Sequence, residues 1–409
     1  MKIAKKTFLV LILIFILTNC ANKQINPIII DDQYLDNLLV NISDINDEIL
    51  ENIYNSNSIS PLKKQKFYLD YFNKLRFFFN DKYSQDYYFF ASITLSKYFP
   101  QITQQLTNDL IILFKQGNYH KTLYYINQLE RHSNLSTELI ELKCYCYYYT
   151  QNIYDFVQYH SKFKNENFSQ QFRNFLKKIS NELPVEFYFM THTARNFEIH
   201  YSNSLKFENI QIIANYLEDA VNYVNRIFGW YPSDKITVLI YEYGDYYKQH
   251  DILNLSSGLF DGKIRIPLSN NIAIENLKQT IFHEYAHSMQ YQVASNSMRF
   301  YWLTEGIAKY VEASLNNLNV AKPEVELIKF SEIDNVFNFE KNNTDKLRAA
   351  YYQAYLIVKY IADNFGERTI GEIIKKFKYS NNIDKILKQE IFIDTNELFR
   401  NLNFLVEKL

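Results

Sequence analysis

Histidine occurs 8 times in 409 residues, and two of the eight, His283 and His287, fall four apart inside the apolar segment "TIFHEYAHSMQ" (Thr280 to Gln290). On a helix, side chains at i and i+4 share a face, so these imidazoles would present two nitrogens to one point. A tetrahedral Zn²⁺ takes neutral imidazole nitrogens at about 2.0–2.1 Å, and the pair supplies two of its corners. Glu284 projects from beside that face, where it can reach a water at the ion without itself ligating. A third donor, Glu305, stands in "YWLTEGIAKYVEA" (Tyr301 to Ala313). The stretch between them is long enough for one helix to end, a loop to turn and a second helix to return antiparallel with its first turn beside the histidines. Such a set suits hydrolysis by an activated water. The bland alternative for Glu305 is a solvated glutamate favoured by the helix dipole. It leaves unexplained the adjoining Gly306 and Ala308, small residues suited to close packing of the two helices. Glu312 shares the face of Glu305 and is either solvated or a support behind a ligand.

The two motifs, in this order and at this spacing, resemble the gluzincins, zinc peptidases with two histidines and a glutamate as ligands, and most closely the peptidase MA-like domains. Their H-E-x-x-H and Trp-Leu-x-Glu-Gly-x-Ala motifs stand here as "HEYAH" and "WLTEGIA". The resemblance implies Zn²⁺ on His283, His287 and Glu305, Glu284 as general base, and a thermolysin-like catalytic domain acting on peptides or proteins. It also implies that Tyr351, in "AAYYQAYLIVKYIADNFGERTI", hydrogen-bonds the oxyanion of a tetrahedral intermediate. Tyr352 and Tyr310 are rivals, and in a chain with 35 tyrosines a core role is an alternative for each. One departure bears on the substrate. Aminopeptidase relatives carry Gly-x-Met-Glu-Asn upstream of the zinc helix, and "SGLFDGKIRIPL" lacks that glutamate. This favours an endopeptidase, and the segment remains suited to an edge strand to which an extended peptide adds.

The elements that must position these residues follow from periodicity. "VEFYFMTHT" and "NFEIHYS" alternate as strands, "ENIQIIANYLEDAVNYVNRIFG" is an amphipathic helix closed by Gly229, and "KITVLIYEY" is a strand. An extended segment with an Asp261-Gly262 turn precedes the histidine helix, and helices follow. Strands first and helices after argue for an α+β domain over residues 184–409. Residues 61–183 show only helical periodicity, which predicts an all-helical domain ending near "ISNELP" (Ile179 to Pro184). Within it Asn118, in "FKQGNYHKTLYYINQLERHSN", recurs as Asn152, a 34-residue offset that resembles the tetratricopeptide repeat; the second unit lacks the glycine. A repeat array and a generic bundle both stay open, and either offers a docking surface for a protein partner. Residues 20–60 read as a spacer leading into helix.

At the N-terminus, Lys2, Lys5 and Lys6 precede the apolar run "FLVLILIFIL" and then "LTNC". Residues 1–19 resemble a bacterial lipoprotein signal, which implies cleavage before Cys20, lipidation there and an extracytoplasmic chain held on a membrane by its acyl groups. Asn19 departs from the small residue preferred before that cysteine. Cys144 and Cys146 lie two apart in a helical pattern and read as small core residues, with no disulfide framework. The balance of 44 basic and 45 acidic residues, without long runs of either, gives no footprint for nucleic acid. The other six histidines form no second cluster with metal spacing, and the 35 Tyr and 32 Phe are spread at core spacings. Two function classes remain: a membrane-anchored zinc metallopeptidase, or a catalytically silent lipoprotein scaffold that binds partners through its helices.

Overall fold

The computed structural model describes residues 30–79, 84–232, 234–250, 258–269, 277–315, 320, 322–340 and 343–406. Cys20 and the signal segment lie outside the described residues. No described helix is long and apolar enough to cross a membrane.

The chain divides into two compact units, one ending at Leu106 and one running from Thr107 to the end. The first contains helices α1 (Asp32–Val40), α2 (Asp47–Asn55), α3 (Pro61–Leu75) and α4 (Gln85–Ser96). Helices α1 and α2 occupy what the sequence presents as a spacer. Asp31 and Asn46 cap them by accepting from Tyr34 N at 2.8 Å and Ile49 N at 3.0 Å, and α2 buries Leu50 and Ile53. Aromatic rings fill this core: Tyr88 packs 5.1 Å from Phe89 and 5.3 Å from Phe79. That is where part of the aromatic excess goes.

The division falls in the first turn of α5 (Thr103–Lys115). It does not fall near residue 183, where the sequence suggests a domain boundary. Helices α6 (Tyr119–Glu130), α7 (Thr137–Tyr149), α8 (Ile153–Ser161), α9 (Gln170–Ile179) and α10 (Leu183–Glu186) all belong to the second unit. The expected 34-residue offset is visible in backbone: α7 begins and ends 34 residues after α5, and α8 begins 34 after α6. The intervening turns match too. Gly117 has φ +78° and Gln151 φ +57°, and the next residue returns a hydrogen bond to the helix, Asn118 N to Leu113 O at 3.3 Å and Asn152 N to Tyr147 O at 2.9 Å. A left-handed non-glycine costs roughly 1–2 kcal/mol. Gln151 accepts it while its side chain joins the buried network described below.

The sheet holds five strands in the order β1 (Met190–Thr193), β2 (Phe197–Tyr201), β3 (Ile236–Glu242), β5 (Ile264–Leu268), β4 (Leu259–Phe260). β2, β3 and β5 are parallel; β1 and β4 run antiparallel at the edges. The strand suggested by "VEFYFMTHT" is only half formed. Pro184 instead opens the short α10, so Val185 and Glu186 are helical. Crossover helices α11 (Phe207–Phe228) and α12 (Tyr243–His250) follow β2 and β3. β2, β3 and β5 are buried on both faces, as parallel strands require, and the two sides they present are unlike. Ile199, Val238 and Ile264 stand in register on one side and enter the main core with α11. On the other side Lys263 and Arg265 are fully buried and paired with groups from α7 and α10.

The remaining helices are α13 (Leu277–Ala294), α14 (Tyr301–Ser314), α15 (Ile333–Phe339), α16 (Thr344–Phe365), α17 (Arg368–Lys376), α18 (Ile383–Glu390) and α19 (Thr395–Val406). The result is a helical layer, a small mixed sheet and a helical C-terminal part, the α+β arrangement expected.

Candidate metal centre

Helix α13 carries the two histidines, and 13 of its 18 residues are buried. Buried almost all round, it is an interior helix, so its polar residues face protein. A 3₁₀ turn at Ser295–Arg299 reverses the chain into α14, and Ser297 Oγ closes it by donating to Ala294 O at 2.8 Å. Two side chains with no sequence signature then fix the start of α14. Gln290 Nε2 donates to Thr304 O at 3.1 Å, and Asp334 Oδ1 accepts from Trp302 N at 2.8 Å. Glu305 lies in the turn they hold.

The three expected ligands converge. Nε2 of His283 and Nε2 of His287 are 3.1 Å apart, and Glu305 Oε2 is 3.6 Å and 3.5 Å from them. A tetrahedral ion with ligands at about 2.0–2.1 Å needs donors about 3.3–3.4 Å apart. The triangle fits such an ion, and the donor chemistry, two imidazoles and a carboxylate, suits zinc. Among the described residues this is the one group of three or more potential ligands so placed.

The electrostatics also ask for a cation. Burial alone would lower the His283 pKa, but the adjacent carboxylates of Glu305 and Glu312, which favour the protonated ring, override it and carry the group up to about 10. Glu305, penalised by burial but surrounded by the two imidazoles, is held well below the usual carboxylate range. Glu312 is not a solvated residue: its Oε2 lies 3.2 Å from His283 Nδ1, and Lys309 Nζ donates to both its oxygens at 3.0 Å and 2.8 Å.

Glu284 is buried beside the triangle, and burial raises its carboxyl pKa. Gly258, immediately before β4, lies against it: a Cβ there would come within 2.8 Å of Glu284 Cγ and 2.9 Å of Oε1. The edge strand therefore begins at the base candidate.

Of the three candidate tyrosines, the structure brings Tyr351 to the site. Burial first, and then the charges of Glu305, Glu284 and Glu312, raise its phenol pKa. Its ring packs 5.0 Å from Phe337, and Lys309 Nζ lies 5.7 Å from the ring centre. Tyr310 donates to Glu367 Oε1 at 3.2 Å instead, and the charges felt by Tyr352 come from Tyr355. Gly306 explains the placement in a way the sequence did not suggest. A Cβ at Gly306 would lie 2.4 Å from Ala354 O and 2.8 Å from Val358 Cγ2. The close approach is thus to α16, the helix bearing Tyr351, and not to the histidine helix.

Elsewhere the side chains expected to be ordinary are so: Cys144 and Cys146 are free and buried, and His192 and His200 sit on β1 and β2.

Residues 230–406 match the model of the Peptidase MA superfamily. The match covers β3 to α19, with both motifs inside it, and supports a peptidase MA-like domain with hydrolase activity. No curated protein matches the chain.

Proposed function

We propose that this chain is a zinc-dependent metallopeptidase that cuts within peptide chains. The observation that carries the reading is the triangle of His283 Nε2, His287 Nε2 and Glu305 Oε2 with Glu284 buried beside it. Zn²⁺ bound there would supply a Lewis acid and bring the pKa of a water down towards about 7. Glu284, its pKa already raised by burial, takes the proton of the attacking water and returns it to the leaving amine. Tyr351 donates its hydroxyl to the carbonyl oxygen as negative charge develops there. β4, a sheet edge that begins at Glu284, holds the substrate extended through main-chain hydrogen bonds.

Two features support internal cleavage. The segment occupied in aminopeptidases by an amine-binding glutamate offers one carboxylate here, Asp261. That group accepts from Lys178 and Arg265, so it is not turned to a substrate amine.

The matched turns at Gly117 and Gln151 and the 34-residue offset of their helices support a tetratricopeptide-like pair, which we propose as a protein-docking element. The signal-like N-terminus supports lipidation at Cys20 and attachment to a membrane outside the cytoplasm. Loss of acyl labelling in Cys20→Ser tests that part separately.

The central test is an unbiased peptide-library digest with metal analysis. Wild type is expected to cleave, chelators to stop it, and Glu284→Gln to lose about 10²- to 10⁴-fold in rate while retaining zinc. Full activity in Glu284→Gln would overturn the mechanism, and absence of any chelator-sensitive cleavage by wild type would favour the partner-binding scaffold.

A further inference from the structure

β4 is only two residues long and lies at the edge of the sheet. So short a strand does not hold its own position in water, yet it borders the metal centre, with Gly258 against Glu284. What holds it comes largely from the helical layer. Lys178 on α9 donates from Nζ to Asp261 Oδ2 at 2.8 Å. Arg265 Nε takes the other oxygen of the same carboxylate at 3.1 Å. Gly262, at φ +103°, completes the turn against Tyr149 at the end of α7, so closely that a Cβ would stand 2.4 Å from Tyr149 Cε1. Phe260 packs 5.6 Å from Tyr291 of α13, and Tyr119 of α6 stacks on Tyr149 at 4.8 Å. Three helices that the motif-bearing part of the chain does not contain thus converge on one two-residue strand and its turn.

We infer that Lys178, Asp261 and Tyr149 are positioning residues through which the α6–α9 layer sets the edge to which peptide substrate adds. The inference rests on the reading of β4 as the substrate edge. None of the three touches the ligand triangle, so they govern how firmly a peptide is held and leave the chemistry of the bound peptide alone. The layer is then part of the peptide-binding apparatus and more than a spacer. Its influence runs along α9 to Asp261 and through the turn to Phe260 and Leu259.

Lys178 is the clean probe because its side chain is 54% exposed, and its removal opens no cavity. The experiment uses the full chain with zinc and compares Lys178→Met, Asp261→Asn, Lys178→Arg and, as a control on the same helix, Lys177→Met. Amide hydrogen exchange is read at residues 258–263, and KM and kcat are measured on a peptide found in the library digest. Lys178→Met and Asp261→Asn are expected to speed exchange in that segment about five-fold, the size of effect a half-buried ion pair commands. KM should rise by a similar factor, with kcat and zinc content unchanged. Lys178→Arg should restore both readings, and Lys177→Met should alter neither. Unchanged exchange at 258–263 overturns the inference, as does faster exchange with KM unmoved, or a fall in kcat alone. If wild type cleaves no peptide, the peptidase reading fails, while the exchange measurement still decides whether the layer holds the strand.

Discussion

His283 and Glu312 are joined through Nδ1 and Oε2 at 3.2 Å, whereas Nδ1 of His287 is buried with no hydrogen-bond partner among the described residues. The two histidines are therefore supported unequally. A carboxylate behind an imidazole fixes the proton on Nδ1 and turns the Nε2 lone pair outward. For His283 that direction is into the triangle with His287 and Glu305. Lys309 keeps Glu312 in place by donating to both its oxygens. Glu312→Ala is expected to weaken zinc binding about 10- to 100-fold, and Glu312→Gln, which keeps an acceptor, to weaken it less. Competition with a chelating dye measures both, and wild-type affinity in Glu312→Ala would remove Glu312 from the metal centre.

Two glycines make contrasting demands. At Gly306 the obstacle to a Cβ is the Ala354 carbonyl, a backbone atom that cannot turn aside. Gly306→Ala should therefore force α14 and α16 apart, lowering stability by about 1–3 kcal/mol and moving Glu305 and Tyr351 together. At Gly258 the obstacles are the Glu284 side chain and the Thr280 methyl, which can swing. Gly258→Ala should leave the unfolding midpoint and zinc content near wild type while displacing Glu284 and reducing kcat. Thermal unfolding and kinetics on the same two variants separate these outcomes, and equal midpoints would show that the α14–α16 contact yields more readily than its geometry implies.

The difference between these glycines also shows what a sequence can and cannot reveal. His283, Glu284, His287 and Glu305 were legible because their relation is local, a shared helix face and one return turn. Gly306 was legible as a close contact, but its partner was not, because Ala354 lies on a helix 48 positions further on. The burial of Lys263 and Arg265 was hidden for the same reason. Alternating polar residues on a strand ordinarily mark a wet face, and here their partners Glu182, Glu186, Tyr148 and Gln151 lie 77 to 117 positions earlier in the chain. The division of the chain into compact units does not follow Pro184, which lies in the first turn of the helix that delivers Glu186 to the sheet. Helices α1 and α2 were obscured because each is only nine residues long, too short for a sustained period, although Asp31 and Asn46 stand in the sequence as caps.

His200 provides a pH test away from the metal centre. Burial, reinforced by the nearby Lys263 charge and opposed by Glu186, lowers its pKa from 6.5 to about 4. Above pH 6.5 the imidazole is neutral in folded and unfolded chains alike and contributes nothing. Between 6.5 and 4 the unfolded chain takes up a proton that the folded chain refuses, so stability falls as pH falls. Below pH 4 both forms are protonated and the loss levels off at about 3 kcal/mol. His200→Asn should therefore show a flatter midpoint between pH 6.5 and 4 than wild type, and parallel profiles would place the titration elsewhere.

Arg265 tests the other face of the sheet. Its fully buried guanidinium donates to Glu186 Oε1 at 2.8 Å, Glu182 Oε2 at 3.2 Å, Asp261 Oδ1 at 3.1 Å and the Tyr148 hydroxyl at 2.6 Å, as well as to Tyr241. Lys263 completes the group, 2.6 Å from Gln151 Oε1 and 3.5 Å above the Tyr148 ring. A paired buried charge need not add stability over an apolar residue, but losing one partner leaves the others buried and uncompensated. Arg265→Met leaves the buried Glu182 without a cation and Glu186 with Lys263 alone, and is expected to cost about 3–5 kcal/mol, read as a lowered urea midpoint. Converting Glu182 alone to glutamine in the same chain should recover much of that loss, because a neutral amide tolerates burial better than an unpaired carboxylate while Glu186 keeps its pairing with Lys263. By the same argument a chain starting at Pro184 leaves Arg265 without Glu182 and Tyr148, and Lys263 without Gln151. It should fail to accumulate as folded protein although it contains every residue of the metal centre. A stable, cooperatively unfolding product from that chain, or a wild-type midpoint in Arg265→Met, would mean that the charged face of the sheet is satisfied by something other than the α7 and α10 groups paired with it.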